Sequence, residues 1–247
     1  MNRVPETPLS LPARILIVDD DAVFRREFKE YLDDYGVMEA ANGEAALHIL
    51  KKPNEIDLVV LDVRMSGMDG IEVLARIKQT APQIKVIILT GMGSKDVAVD
   101  ALRGRADDYI EKTFSNAAVR ETIAKHLDVK ERQDFGEGIE GKIARVKFFI
   151  EKNCHKKITL LDAAAIVSLS PKYLSRAFRE HLDRGFNEYA LSLKIKLSKK
   201  LLKTTQNTVE NISYQLGYQN SESFIRQFKK IVHCTPTEFR AKTVNAK

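Results

Sequence analysis

Two rhythms of apolar and polar positions divide the chain. Short apolar runs recur through the first half: RILIVD (14–19), VMEA (37–40), LVVLD (58–62), KVIILT (85–90) and DYIEK (108–112). The stretches between and after them, AVFRREFKEYLDDY, NGEAALHILKK, GIEVLARIKQT, SKDVAVDALR and SNAAVRETIAKHL, are apolar at helical spacing. The central runs are apolar at every position, as strands covered on both faces must be. Five strands, each followed by a helix, predict a doubly wound, five-stranded parallel α/β sheet.

Beyond residue 141 the strand signal stops, and the pattern predicts an all-α domain of about seven helices. Helix starts are written explicitly: Thr159 with Asp162 three positions on, Ser170 before Pro171, and the box Thr235-Pro236-Thr237-Glu238. NEYALSLKIKLSKKLLKT (187–204) predicts one long helix, apolar at Tyr189, Leu191, Leu193, Ile195, Leu197, Leu201 and Leu202. YLSRAFREHL (173–182) repeats weakly as SFIRQFKKIV (223–232), each after a short helix and a tight turn, which predicts two helix-turn-helix units. Between the halves, DVKERQDFGEGIEG (128–141) has no periodicity and reads as a linker.

Charge sharpens this division. The 247 residues carry a net +6, but residues 1–140 hold 19 Lys+Arg against 26 Asp+Glu, and residues 141–247 hold 21 against 8. An acidic half is joined to a basic one, and the basic half has the footprint of a nucleic-acid binder. Cys154 and Cys234 are read as free thiols, and with His233 they are too few for a zinc site. The N-terminal MNRVPETPLSLPA has no apolar core and no run reaches membrane-spanning length, so the expected location is cytoplasmic, with no membrane partner.

Candidate chemistry lies at the carboxyl ends of the strands, where open parallel sheets bind ligands. Asp19 and Asp20 follow the first run, Asp62 ends the third, Thr90 the fourth and Lys112 the fifth. Three carboxylates crowded at one edge need a cation, and oxygen-only ligands suit Mg²⁺. With ILIVDDD, VVLDVRMSGMDG, VIILTG and DDYIEKTF in order, residues 13–128 resemble the receiver domain of response regulators, a flavodoxin-like fold. The resemblance implies that Asp62 accepts a phosphoryl group from a sensor histidine kinase. It implies Mg²⁺ bound by Asp20, Asp62 and the backbone carbonyl of Arg64, with Asp19 acting through water. Lys112 and Thr90 would contact the phosphoryl oxygens, and Tyr109 stands at the switch aromatic. Three departures stand out: Thr113 replaces the usual proline after Lys112, so that either the bond is trans and the loop shifts Lys112 or the fold bears the strain of a cis bond; Ser66 replaces a usual proline and loosens the loop after Asp62; and Arg105 replaces a common glycine. A hydrolase using Asp62 would need an acid two positions on, where Arg64 stands, so no enzyme is expected and no catalytic residue is assigned.

Residues 141–242 resemble the DNA-binding domain of the AraC/XylS family, through ITLLDAAAIVSLSPKYLSRAFRE and ISYQLGYQNSESFIRQFKKIVHCTPTEFR. In the first reading helix Leu174, Ala177 and Phe178 form the core stripe, leaving Lys172, Ser175, Arg176 and Arg179 outward. In the second, Phe224, Phe228 and Ile231 are expected in the core, with Ser221, Glu222, Ile225, Arg226 and Lys229 toward double-stranded DNA. Asp183 and His233 stand where a glycine is common after each reading helix; both types tolerate positive φ. The whole reads as a receiver (13–128), a linker (129–140) and a DNA-binding domain (141–242): a phosphorylation-controlled transcription factor, expected to form a homodimer when phosphorylated. The alternative is a DNA-binding protein whose receiver is a phosphorylation-independent interaction module.

Overall fold

The computed structural model describes residues 12–91, 105–112, 116–127 and 135–244, and the chain divides into two compact units, one before residue 135 and one from Phe135 onward. In the first unit β1 (Arg14–Val18), β2 (Gly36–Ala40), β3 (Ile56–Asp62), β4 (Lys85–Thr90) and β5 (Asp108–Glu111) form one sheet in the order β2-β1-β3-β4-β5. All four pairings are parallel. The strand order reverses between β1 and β3, and the crevice at such a switch point is where open α/β sheets bind ligands.

The unbroken apolar runs have the physical cause expected of them. Leu16, Val18, Val59, Leu61, Val86 and Ile88 join one buried cluster with α2 (Gly43–Lys51) and α3 (Gly70–Thr80). Their strand neighbours Ile15, Ile17, Leu58, Val60, Ile87 and Leu89 join the opposite one, with α1 (Ala22–Tyr31) and α4 (Asn116–His126). Period-two alternation thus sends every second residue to a different core, and both cores are apolar. The helix expected in SKDVAVDALR lies outside the described residues, as does Thr113.

The second unit contains seven helices among its described residues: α5 (Ile139–Lys152), α6 (Leu160–Ile166), α7 (Pro171–Leu182), α8 (Phe186–Thr204), α9 (Val209–Gln215), α10 (Ser221–Val232) and α11 (Pro236–Val244). The repeat is structural. α6 and α9 each have 7 residues behind a threonine cap, Thr159 and Thr208, and α7 and α10 each have 12, capped by Ser170 and Asn220. Asp183 and His233 end the reading helices in the left-handed region, at φ 52° and 63°. α8 serves both halves: Phe186, Tyr189 and Leu193 pack with α5–α7, and Ile195, Leu201 and Leu202 with α9–α11.

Two expectations change. Ile231 is 41% exposed rather than part of the core stripe; in the last turn of α10 its neighbour Val232 packs against the Phe224–Phe228 core instead. The C-terminal end of the expected linker is docked: Phe135 packs its ring 5.7 Å from Phe148, and Gly141 in α5 lies so close to the Phe135 carbonyl that a Cβ would overlap it.

Candidate functional site

β1 and β3 deliver Asp19 and Asp62 side by side, since Val18 pairs with Leu61 in register and each acid is the next residue. Asp19 is wholly buried and Asp62 is 4% exposed, while Asp20, one step further along the loop, is open to solvent. The carboxylate oxygens of Asp19, Asp20 and Asp62 lie within 4.8 Å of one another. Lys112 enters from the end of β5, its backbone N–H donating to the Thr90 carbonyl at 2.7 Å. Its Nζ donates to Asp19 Oδ2 at 2.8 Å and to Asp62 Oδ2 at 2.9 Å, 4.9 Å above the Phe24 ring. Thr90 is buried at the end of β4.

In this site one lysine faces three clustered carboxylates. Burial pushes the Asp62 carboxyl above its ordinary range, although the Lys112 hydrogen bond and charge pull the other way. Burial would weaken the Lys112 ammonium, but hydrogen bonds to Asp19 and Asp62 outweigh it and raise its pKa. Both directions have one cause: a single ammonium, still in contact with water, is shared between two desolvated carboxylates. A divalent cation among the acids would reverse the penalty on Asp62. Oxygen donors within this span fit a hard ion such as Mg²⁺, which keeps several waters and takes few carboxylates.

Sequence reasoning missed three supports. The Ser66 backbone N–H donates to Asp20 Oδ2 at 2.8 Å, which holds the Asp20 carboxyl below its usual range. A proline there has no N–H to give, so the departure adds an anchor. Phe24 under Lys112 carried no signal beyond its place on an amphipathic helix. Gly70 opens α3 behind the Asp69 cap, and a Cβ on it would lie 2.2 Å from the Asp62 carbonyl and 2.7 Å from Val63 Cα. Gly70→Ala must therefore displace the backbone that carries Asp62. The expected cost is about 1–3 kcal/mol, as for other overpacking changes; a thermal melt equal to wild type would contradict this packing.

Other expected positions are placed less directly. Arg64 has an exposed side chain, and its backbone amide pulls the Asp62 carboxyl downward, against the effect of burial. Tyr109 is 44% exposed on β5, so it is not a packed core aromatic. Arg105 takes φ 67° ahead of β5, a conformation glycine would adopt without strain.

In the second unit the reading helices present the predicted faces. Leu174, Ala177 and Phe178 are buried in α7, as are Phe224 and Phe228 in α10. Lys172, Arg176 and Arg179 are exposed and Ser175 half-buried; in α10 Glu222, Arg226 and Lys229 are exposed, and Ser221 and Ile225 half-buried. Lys172, Ser175, Arg176 and Arg179 line one open groove with Leu160, Pro171 and Glu180. Arg176 stacks 5.4 Å over the Tyr173 ring and lies 3.7 Å from Glu180. Ile225 packs against the α8–α11 core, leaving only part of its side chain open to solvent.

Comparison with known proteins agrees with both halves. A family profile described as the response regulator receiver domain matches residues 15–124, and one described as a helix-turn-helix domain matches residues 163–242. The chemotaxis protein CheY of Bacillus subtilis is 41% identical over 118 residues, 47% of this chain and 98% of CheY. The alginate biosynthesis transcriptional regulatory protein AlgB of Pseudomonas syringae is 33% identical over 158 residues, 64% of this chain and 35% of AlgB. Histidine kinase P4 of Formosa agariphila is 27% identical across 92% of this chain, which corresponds to 18% of that protein. The chain thus spans about a third or less of the length of several curated relatives it matches.

Proposed function

The chain belongs to the response regulators, with a receiver domain and an AraC-type helix-turn-helix domain, and on that premise we propose that phosphorylation of Asp62 controls its sequence-specific binding to double-stranded DNA. The observation that carries the reading is the Lys112 ammonium bridging Asp19 and Asp62 at the switch point of the sheet, with Asp20 within reach. The receiver would extend over 13–128 and the DNA-binding domain over 141–242, with 129–140 between them.

The chemistry follows from the placement. A carboxylate oxygen of Asp62 attacks phosphorus, and the bond to the donor, a phosphohistidine of a sensor kinase, breaks with its electron pair leaving on that donor. β3 holds the nucleophile fixed, so positioning and charge neutralisation supply the catalysis. Asp20, Asp62 and the Arg64 carbonyl would hold Mg²⁺, with Asp19 acting through water, and the bound ion would supply positive charge to neutralise the phosphoryl oxygens. Lys112 keeps its ammonium facing Asp62 and can pair with one phosphoryl oxygen, and the Thr90 hydroxyl can donate to another. Negative charge on Asp62 would bias the receiver between two states, and Tyr109, exposed on β5, is the aromatic proposed to report it. The readout is a change in how the reading helices are presented, through homodimerisation of the receiver in a cytoplasmic protein. Among the described residues no helix is long and apolar enough to cross a membrane.

Lys172, Ser175, Arg176 and Arg179 in α7, and Ser221, Glu222, Ile225, Arg226 and Lys229 in α10, are proposed to meet DNA. α8, with 19 residues, extends about 28 Å at the helical rise, of the order needed to place two readers one DNA turn apart. Incubating the chain with acetyl phosphate, with and without Mg²⁺, tests the phosphoryl step. The expected result is one acyl phosphate per chain only when Mg²⁺ is present. No label in either case would leave the receiver as a phosphorylation-independent interaction module.

A further inference from the structure

Lys194 lies in the middle of α8, the helix shared by both helix-turn-helix halves. Its side chain does not run to solvent. Nζ donates to the Lys156 carbonyl at 3.1 Å and to the Leu216 carbonyl at 2.7 Å. Lys156 belongs to the turn between α5 and α6, in the first half; Leu216 is the C-cap of α9, in the second. One ammonium therefore ties a carbonyl from each half to the connecting rod.

The two turns also touch directly. Gly217, at φ 73°, comes so close to the His155 carbonyl that a Cβ would lie 2.4 Å from its oxygen. From there the contacts run to the second reading helix. Lys194 Nζ sits 5.2 Å from the Tyr218 ring centre. The Tyr218 hydroxyl donates to Gln227 Oε1 at 2.9 Å, and its ring lies 5.3 Å from Phe224; both partners are on α10. The other core clusters of this unit are apolar and split between the halves. A cation in such a place costs desolvation, which lowers the Lys194 pKa, and apolar packing could fill the space instead. Directional bonds to two carbonyls do what apolar packing does not: they fix one relative pose.

We propose that Lys194 is a positioning residue that sets the separation and twist of the two reading helices by clamping the carbonyls of Lys156 and Leu216. It touches no DNA. The inference rests on the DNA-binding reading only for its purpose; its test needs no DNA. Spin labels at exposed positions of the two readers, Glu180→Cys and Lys230→Cys, report their separation in the full chain with Cys154 and Cys234 replaced by serine. The unmodified clamp should give one narrow distance distribution. Lys194→Met, which keeps the length but donates nothing, should broaden or shift it, and Lys194→Arg, which retains the donors, should restore a narrow one. If Lys194→Met does not fold, Lys194→Gln, which can reach one carbonyl at most, takes its place with the same expectation. A distribution as narrow and as centred in the Met or Gln variant as in the parent would overturn the proposal. So would broadening that arginine does not reverse, since that marks a space-filling role. A site library with the half-site spacing varied by single base pairs then separates this from the DNA reading: the parent should select one spacing and Lys194→Met several. A parent that selects no DNA would sink the DNA reading and leave the distance result standing.

Discussion

Asp62→Asn should abolish Mg²⁺-dependent labelling of the full chain by acetyl phosphate. The amide is nearly isosteric but is not a nucleophile toward phosphorus, and it cannot supply the negative charge that Lys112 and a metal ion share. Asp19 and Asp20 do not substitute for it. Asp19 is wholly buried and receives the Asp21 N–H and the Lys112 ammonium, and Asp20 is held by the Ser66 N–H. The variant should fold, because burial already disfavours the charged form of Asp62, and a neutral side chain there relieves desolvation. Intact mass and a thermal melt check both parts; a fully labelled Asp62→Asn chain would remove Asp62 as the phosphoacceptor.

Arg176→Ala and Arg226→Ala should each cost about 1–3 kcal/mol on the preferred DNA site, with the loss concentrated at one base pair. The two arginines occupy equivalent places in the repeat, each the sixth residue of its helix, α7 or α10, on exposed faces. Arg176 gives up a pairing with Glu180 to reach a base, but both partners are about two-thirds exposed, and such pairs are worth little. If each arginine grips a guanine, the two affected positions should lie about 10 base pairs apart. If they touch only phosphate, affinity should fall alike on all sequences and the salt slope should drop by about one. A library screened against the parent and both variants distinguishes these, and undiminished binding on every sequence would remove that arginine from the interface.

The distribution of legible and illegible features follows from what periodicity encodes. LVVLD reads as a doubly covered strand because each face meets its own apolar core, and a carboxylate at its end is conspicuous against that background. The caps at Thr159, Ser170 and Thr235 are legible because their bonds close within three residues. Asp183 and His233 could be foreseen at positive φ because the family resembled commonly has glycine at both places. Lys194 could not be foreseen: on a helix rich in lysine it looks like one more solvated charge, and its two partners lie 38 and 22 residues away. The bond of Ser66 is hidden for a related reason. Losing a proline loosens a free loop, but here the restored N–H meets Asp20, 46 residues distant. Ile231 has the spacing of a core residue, yet its neighbour Val232 takes the core-facing place in the last turn of α10.

The central claim is that the charge state of Asp62 governs DNA binding, and affinity measured in one titration tests it most directly. The chain is first used to select its preferred site from random sequence, and binding to that site is then followed with Mg²⁺, with and without acetyl phosphate, in the parent and in Asp62→Asn. The account predicts at least a fivefold change in affinity on phosphodonor addition, within the usual range of allosteric coupling of about 1–3 kcal/mol, and no change in the variant. Equal affinity in the labelled and unlabelled parent, with acyl phosphate on Asp62 verified by mass, would contradict it.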